Sequence, residues 1–172
     1  MNKSFQILFA GAGGCGKSPV ANYLSWKFNL PRMENDALRN EVRGDMMDNL
    51  LNPDVRAEYN RRLKERYDEL NTLGWSFVDD CSIDRTWKSR DEWFSPARVP
   101  FIISFDLSYE FIKNRYSLGK VPQLDHLRRW VDDHDVFLAE FGKQVNVHIT
   151  EENYKDRISI CENALRDFLK SI

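Results

Sequence analysis

The stretch "GAGGCGKS", Gly11–Ser18, constrains the fold of this chain more than any other. Gly11, Gly16, Lys17 and Ser18 satisfy G-x-x-x-x-G-K-[ST]; the apolar run "FQILFAG" leads in, and a helical pattern with Val20, Leu24 and Phe28 leads out. A glycine-rich turn between a strand and a helix aims successive backbone N–H groups, together with the positive end of the helix, at one point in space. That point suits a phosphate. The residues Gly11, Ala12, Gly13, Gly14, Cys15, Gly16, Lys17 and Ser18 are therefore expected to hold a nucleotide, with Lys17 on the β/γ-phosphates and Ser18 giving an oxygen to Mg²⁺. Pro19 breaks the pattern. Its fixed φ suits a first helical turn, but it brings no N–H where the α-phosphate would take one, so nucleotide binding is expected to be weaker by about the worth of one charged hydrogen bond, roughly 1.5–3 kcal/mol.

The rest of the chain alternates strand-like and helix-like stretches without a repeat or linker, which predicts one α/β domain over residues 1–172. "FQILFAG", "WSFVDDC", "VPFIISFDL" and "QVNVHIT" read as buried strands, with a short one near "LPRME", giving a five-stranded, mostly parallel sheet. Asn52, Pro53 and Gly74 bracket a long helix with Val55, Tyr59, Leu63, Tyr67 and Leu70 on one side. A further helix is expected from Ser108 to Gly119, and a last one places Ile158, Cys161, Leu165 and Phe168 on a common face. A net charge of −2 gives no general attraction to nucleic acid or anionic lipid, so contact with either would need a local basic patch. The apolar runs are too short to span a bilayer, and Gln6 interrupts the N-terminal one, which reads as a first strand and not a signal peptide. Three scattered cysteines point to a reducing, cytoplasmic setting. The sequence carries no indication of oligomeric state.

Beyond the loop, "ENDALRNEV" and "GWSFVDDCS" resemble the small P-loop kinases, a group that includes polynucleotide 5′-hydroxyl kinases and nucleoside and metabolite kinases. Asp36 and Arg39 match the D-x-x-R that these proteins carry after their second strand, and Asp80 the aspartate closing the third; Ser82 and Arg90 match weaker positions. The D-x-x-G and N-K-x-D signatures of small GTPases do not occur. The resemblance implies the P-loop NTPase fold with a small helical lid at about 115–130, in "FIKNRYSLGKVPQLDHLRRW". Arg115 fits the first lid arginine; Leu118 and Gly119 occupy the neighbourhood of the second, for which Lys120, Arg128 or Arg129 can substitute, a lysine less well than an arginine.

The chemistry asks for the same residue types. A hydroxyl is a poor nucleophile, so a carboxylate must orient it and take its proton as the phosphoryl group transfers. Asp36 is the candidate base, with Arg39 one helical turn away to hold a phosphate; a helix-capping aspartate beside a surface arginine is the plainer reading of the pair. Asp80, at the carboxyl end of a strand, is expected to hold Mg²⁺ or to position the acceptor; strand alternation turns Asp79 to the opposite face. Trp87, Trp93 and Phe94 can stack a base or pack against the sheet. The expected activity is transfer of the γ-phosphate of ATP to a hydroxyl, with a polynucleotide 5′-hydroxyl as first acceptor and a nucleoside or small metabolite as the alternative. A nucleotide-binding module without transfer activity is the reading from another class, favoured by Pro19 and the thinned lid.

Overall fold

The computed structural model describes residues 3–48, 50–87, 98–116 and 124–172. Strand β1 (Phe5–Ala10) is buried at all six positions, as a strand must be when it has neighbours on both edges and helices on both faces. Those neighbours are β3 (Phe77–Ser82) and β4 (Val99–Asp106), while β2 (Arg32–Glu34) and β5 (Val147–Thr150) form the edges, in the order β2-β3-β1-β4-β5. Every pairing is parallel. All five expected strands are present; "QVNVHIT" contributes only its last four residues.

Alternate residues of β1 face opposite layers. Phe5, Ile7 and Phe9 pack with Val20 and Leu24 of α1 (Lys17–Phe28) and with Cys161 and Leu165 of α6 (Arg157–Ser171). Leu8 and Ala10 pack with Phe137 of α5 (Leu124–Phe141), Ile83 and Trp87. Helices α2 (Asn35–Met46) and α3 (Pro53–Leu73) enclose a third cluster around Met33, Leu38, Leu63, Tyr67 and Phe77 beside β2. Trp87 stacks edge-on to Phe137 and close to Phe141, which makes it core; Trp93 and Phe94 lie outside the described residues. Helix α4 runs over Tyr109–Tyr116. The stretch expected as a lid, 115–130, therefore holds the end of α4, seven residues outside the described ones, and the first turns of α5, whose Leu127 is fully buried. Among the described residues no helix is long and apolar enough to cross a membrane.

Two details shape the carboxyl ends of the strands. Leu8 pairs with Asp79, but Phe9 pairs with Ser82, so Asp80 and Cys81 are skipped by β1 while Asp80 still pairs with Glu34 of β2. The step parts β3 from β1 just where ligands bind to open α/β sheets. One residue earlier, Asp79 turns inward. It is fully buried and accepts hydrogen bonds from Gln6 Nε2 at 3.0 Å and from the Tyr67 hydroxyl. Burial lifts its carboxyl to about 6 despite those donors. A carboxyl raised in the folded state contributes stability that is complete below the unfolded value of 3.8 and is lost as pH rises through about 6. Asp79→Asn is accordingly expected to flatten the pH dependence of stability between pH 4 and 6, read from urea unfolding at a series of pH values.

Candidate active site

The glycine loop ends at Gly16, which begins α1 with a φ of +100° and no side chain to cap it. The first backbone N–H groups of α1 consequently have no partner within the helix, and an anion is their natural acceptor. Pro19, exposed at the third helical position, removes one of those donors without disturbing the helix. Inside the loop, Lys17 is only 8% exposed, and its ammonium donates to Gly11 O at 2.7 Å, Ala12 O at 2.8 Å and Cys15 Sγ at 3.4 Å. Burial pushes the Cys15 thiol up, in spite of the lysine beside it. Two of the glycines are there because neighbours stand where a side chain would be. A Cβ on Gly13 would lie 2.5 Å from the Trp130 ring, and one on Gly16 2.3 Å from the Tyr154 hydroxyl.

At the loop's edge, Ser18 Oγ donates to Asp80 Oδ1 at 3.2 Å, bringing together the two residues expected to share a metal ion. A hydroxyl and a carboxylate oxygen this close form a hard-oxygen donor set of the kind Mg²⁺ takes. Asp80 also pairs with Arg32, which approaches Oδ2 to 2.5 Å and lies 3.4 Å from Glu34. Arg32 had no place in the sequence reading. Nothing in its spacing marks it, and only the β2–β3 register sets it beside Asp80. The start of α2 follows directly from β2, so Asp36 and Arg39 sit at the same corner of the sheet, 2.7 Å apart and both open to solvent. Arg39 also lies over the Tyr59 ring of α3 at 5.8 Å. Ser82 faces the loop itself, donating to Gly11 O at 3.2 Å.

The lid candidates divide. Arg115 lies over Tyr154 at 4.3 Å, and Arg157 lies over the same ring at 4.4 Å, so Tyr154 joins a guanidinium pair to the loop at Gly16. Arg128 lies over Tyr109 at 4.4 Å, and Arg129, largely exposed, is 3.9 Å from Asp133. Lys120 and Arg90 lie outside the described residues.

A buried ionic cluster escaped the sequence reading. His134 Nε2 stands 3.1 Å from Asp106 Oδ1, and its Nδ1 3.3 Å from Asp84 Oδ2 as an ion pair, without the alignment of a hydrogen bond. Ser104 Oγ donates to Asp106 Oδ1, whose other oxygen meets His148 Nδ1 at 2.6 Å. Burial opposes a charge on His134, but the two carboxylates outweigh it and lift the imidazole to about 9. Burial likewise pushes Asp106 up, and its hydrogen bonds from His134, Ser104 and His148 more than reverse this, leaving it below its usual range. A histidine spaced seven residues after Leu127 and three before Phe137 was the available signal, because such spacing turns it inward. Nothing in the sequence marks Asp84.

No family model matches the chain, and no curated protein sequence does. Solved structures do. A gluconokinase from Sinorhizobium meliloti 1021 is 16% identical and superposes with a TM-score of 0.64 over 99% of this chain and 97% of its own. The shikimate kinase of Acinetobacter baumannii, in complex with shikimate, gives 0.62 at 13% identity over 99% and 96%. The Mycobacterium tuberculosis APS kinase CysC, in complex with AMPPNP and APS, gives 0.53 at 17% identity over 94% and 99%. With the loop seated between β1 and α1 of a five-stranded parallel sheet, the chain has the fold of the small P-loop kinases.

Proposed function

We propose that this protein is an ATP-dependent phosphotransferase whose acceptor is a hydroxyl of a small metabolite, nucleosides included. The observation that carries the reading is the start of α1. Uncapped N–H groups, a lysine held among the loop carbonyls, and Ser18 within 3.2 Å of Asp80 meet at the carboxyl end of the central strands. The small acceptor replaces the polynucleotide end first expected. A nucleic-acid backbone calls for a run of unpaired cations. At the α2–α3 corner several arginines are instead matched with carboxylates: Arg39 with Asp36, Arg62 with Glu41, Asp45 and Glu58, and Arg66 with Glu41. The gluconokinase, shikimate kinase and APS kinase, similar in fold, act by their names on small molecules.

In this reading the loop N–H groups and Lys17 receive the phosphates of ATP, the ammonium exchanging loop carbonyls for phosphate oxygens. Ser18 and Asp80 would hold Mg²⁺, which neutralises charge on the β- and γ-phosphate oxygens when bound. Asp36 orients the acceptor hydroxyl and takes its proton. The hydroxyl oxygen bonds to the γ-phosphorus, the bond to the β–γ bridging oxygen breaks, and ADP leaves with that electron pair. Arg39, tethered to Asp36, faces the negative charge of the acceptor or of the group in transit. Arg115 and Tyr154 border the loop on the side away from this corner.

Incubation with γ-labelled ATP against sugars, hydroxy acids, nucleosides and oligonucleotides tests the reading. Label on a small molecule is the expected result, and label on oligonucleotide alone overturns the choice of acceptor. Lys17→Ala should weaken ATP binding or transfer at least tenfold, which calorimetry and initial rates measure, by removing a cation from the β/γ-phosphates. Asp36→Asn should lower kcat about a hundredfold or more while ATP affinity stays within a few-fold, the signature of a group that acts chiefly in the transition state. Pro19→Thr should restore the missing donor and tighten nucleotide binding by about tenfold. Unchanged binding in a folded variant would show that the loop already compensates.

A further inference from the structure

We propose that His134, bracketed by Asp84 and Asp106, is a positioning residue that holds the phosphate-binding loop in its binding shape through Asp84. The inference rests on the kinase reading of the loop. Gly11 opens the loop at a φ of +134°, and both of its peptide groups are tied down. Its carbonyl accepts from Lys17 and Ser82, and its N–H donates to Asp84 Oδ2 at 3.2 Å. Asp84 thus fixes the point at which β1 leaves the sheet. Its side chain is 1% exposed, its other oxygen has no hydrogen-bond donor among the described residues, and His134 Nδ1 stands 3.3 Å from the oxygen that meets Gly11. A carboxylate buried to that degree needs a cation, and the ring provides it. Asp106, on the other side, keeps the ring turned toward Asp84 and is itself held by Ser104 and His148.

The charged and titratable groups around the ring come from several elements. Asp84 belongs to the turn after β3, Asp106 to the end of β4, and His148 to β5 beyond Asp106. On α5 itself Phe137 stacks on the imidazole, and past Asp84 lie the thiols of Cys15 and Cys81, with Lys17 beside Cys15. The carboxylates next to the ring outweigh its burial and raise its proton affinity, to about 9 from 6.5. The sign follows. A base raised in the folded state contributes fully below 6.5 and loses its contribution as pH rises through about 9, so the loop loosens in that interval.

Nucleotide binding reads this directly, without a phosphoryl acceptor. The chain has three histidines, so NMR of the imidazole nitrogens in the wild type isolates His134 as the signals that vanish in His134→Gln. One midpoint near 9 is expected for it in the free protein. The affinity of the wild type for MgATP should then fall about tenfold between pH 8 and 10, the worth of one charged hydrogen bond. His134→Gln, shown folded by circular dichroism, should bind about tenfold more weakly at pH 7.5, with no step near pH 9 and faster amide exchange over residues 9–16. If the wild type binds MgATP with no step near pH 9, or His134→Gln matches it in affinity and loop exchange, the histidine is a structural ion pair and the inference falls alone. If the wild type does not bind MgATP at all, the reading of the loop falls with it.

Discussion

A cation buried among backbone carbonyls organises this molecule. The Lys17 ammonium is nearly removed from water, at a cost of several kcal/mol if it had no partners, and the carbonyls of Gly11 and Ala12 offset that cost at 2.7 and 2.8 Å. With those carbonyls turned in on Lys17, the chain enters α1 at Gly16 without a cap. The first N–H groups of the helix are therefore left without an acceptor, ready for an anion. The neighbours follow from this geometry. Trp130 closes on Gly13, Tyr154 closes on Gly16, and Ser82 at the end of the neighbouring strand and Asp84 in the turn after it fasten Gly11. The sheet order places that strand next to β1, and the β3 register step frees Asp80 to face Ser18.

Arg32 gives this site a character of its own. Asp80 has two claimants, the guanidinium of Arg32 on one oxygen and the hydroxyl of Ser18 on the other. A metal ion drawing on Asp80 shares the carboxylate with a fixed positive charge, which weakens the cation's hold on that ligand. Arg32 Nε is buried without a hydrogen-bond partner among the described residues, so the side chain is held by its far end alone. Under the proposed function, it and Pro19 leave a loop of ordinary pattern fewer contacts for a nucleotide than the pattern suggests.

Much of the fold was legible because local signals and tertiary demands agree. The strand runs are buried strands, Asn52 caps α3 by accepting from the Asp54 N–H at 2.9 Å, and Gly74 ends it at a φ of +63°. Strand alternation separated Asp79 from Asp80 correctly, one bound to Tyr67 and Gln6 in the core, the other to Ser18 at the start of α1. Helix α5 was harder to see. Its buried residues Leu127, His134 and Phe137 are scattered through Arg128, Arg129, Asp132, Asp133 and Asp135, and a charged run hides an inward face when one of the buried positions is itself a histidine. The loop and the D-x-x-R pair could be found because their residues are adjacent in sequence. The Asp84–His134–Asp106–His148 cluster could not, since its members come from four elements and meet only once the sheet order is known.

The central claim is that the turn built around Lys17 is a nucleotide cradle, and amide hydrogen exchange with and without MgATP tests it most directly. Saturating MgATP is predicted to slow exchange at Gly11–Ser18 by tenfold or more, with Pro19 contributing no amide and with little change in α3. Exchange at the loop that is indifferent to MgATP, or protection confined to a region remote from it, would contradict the account.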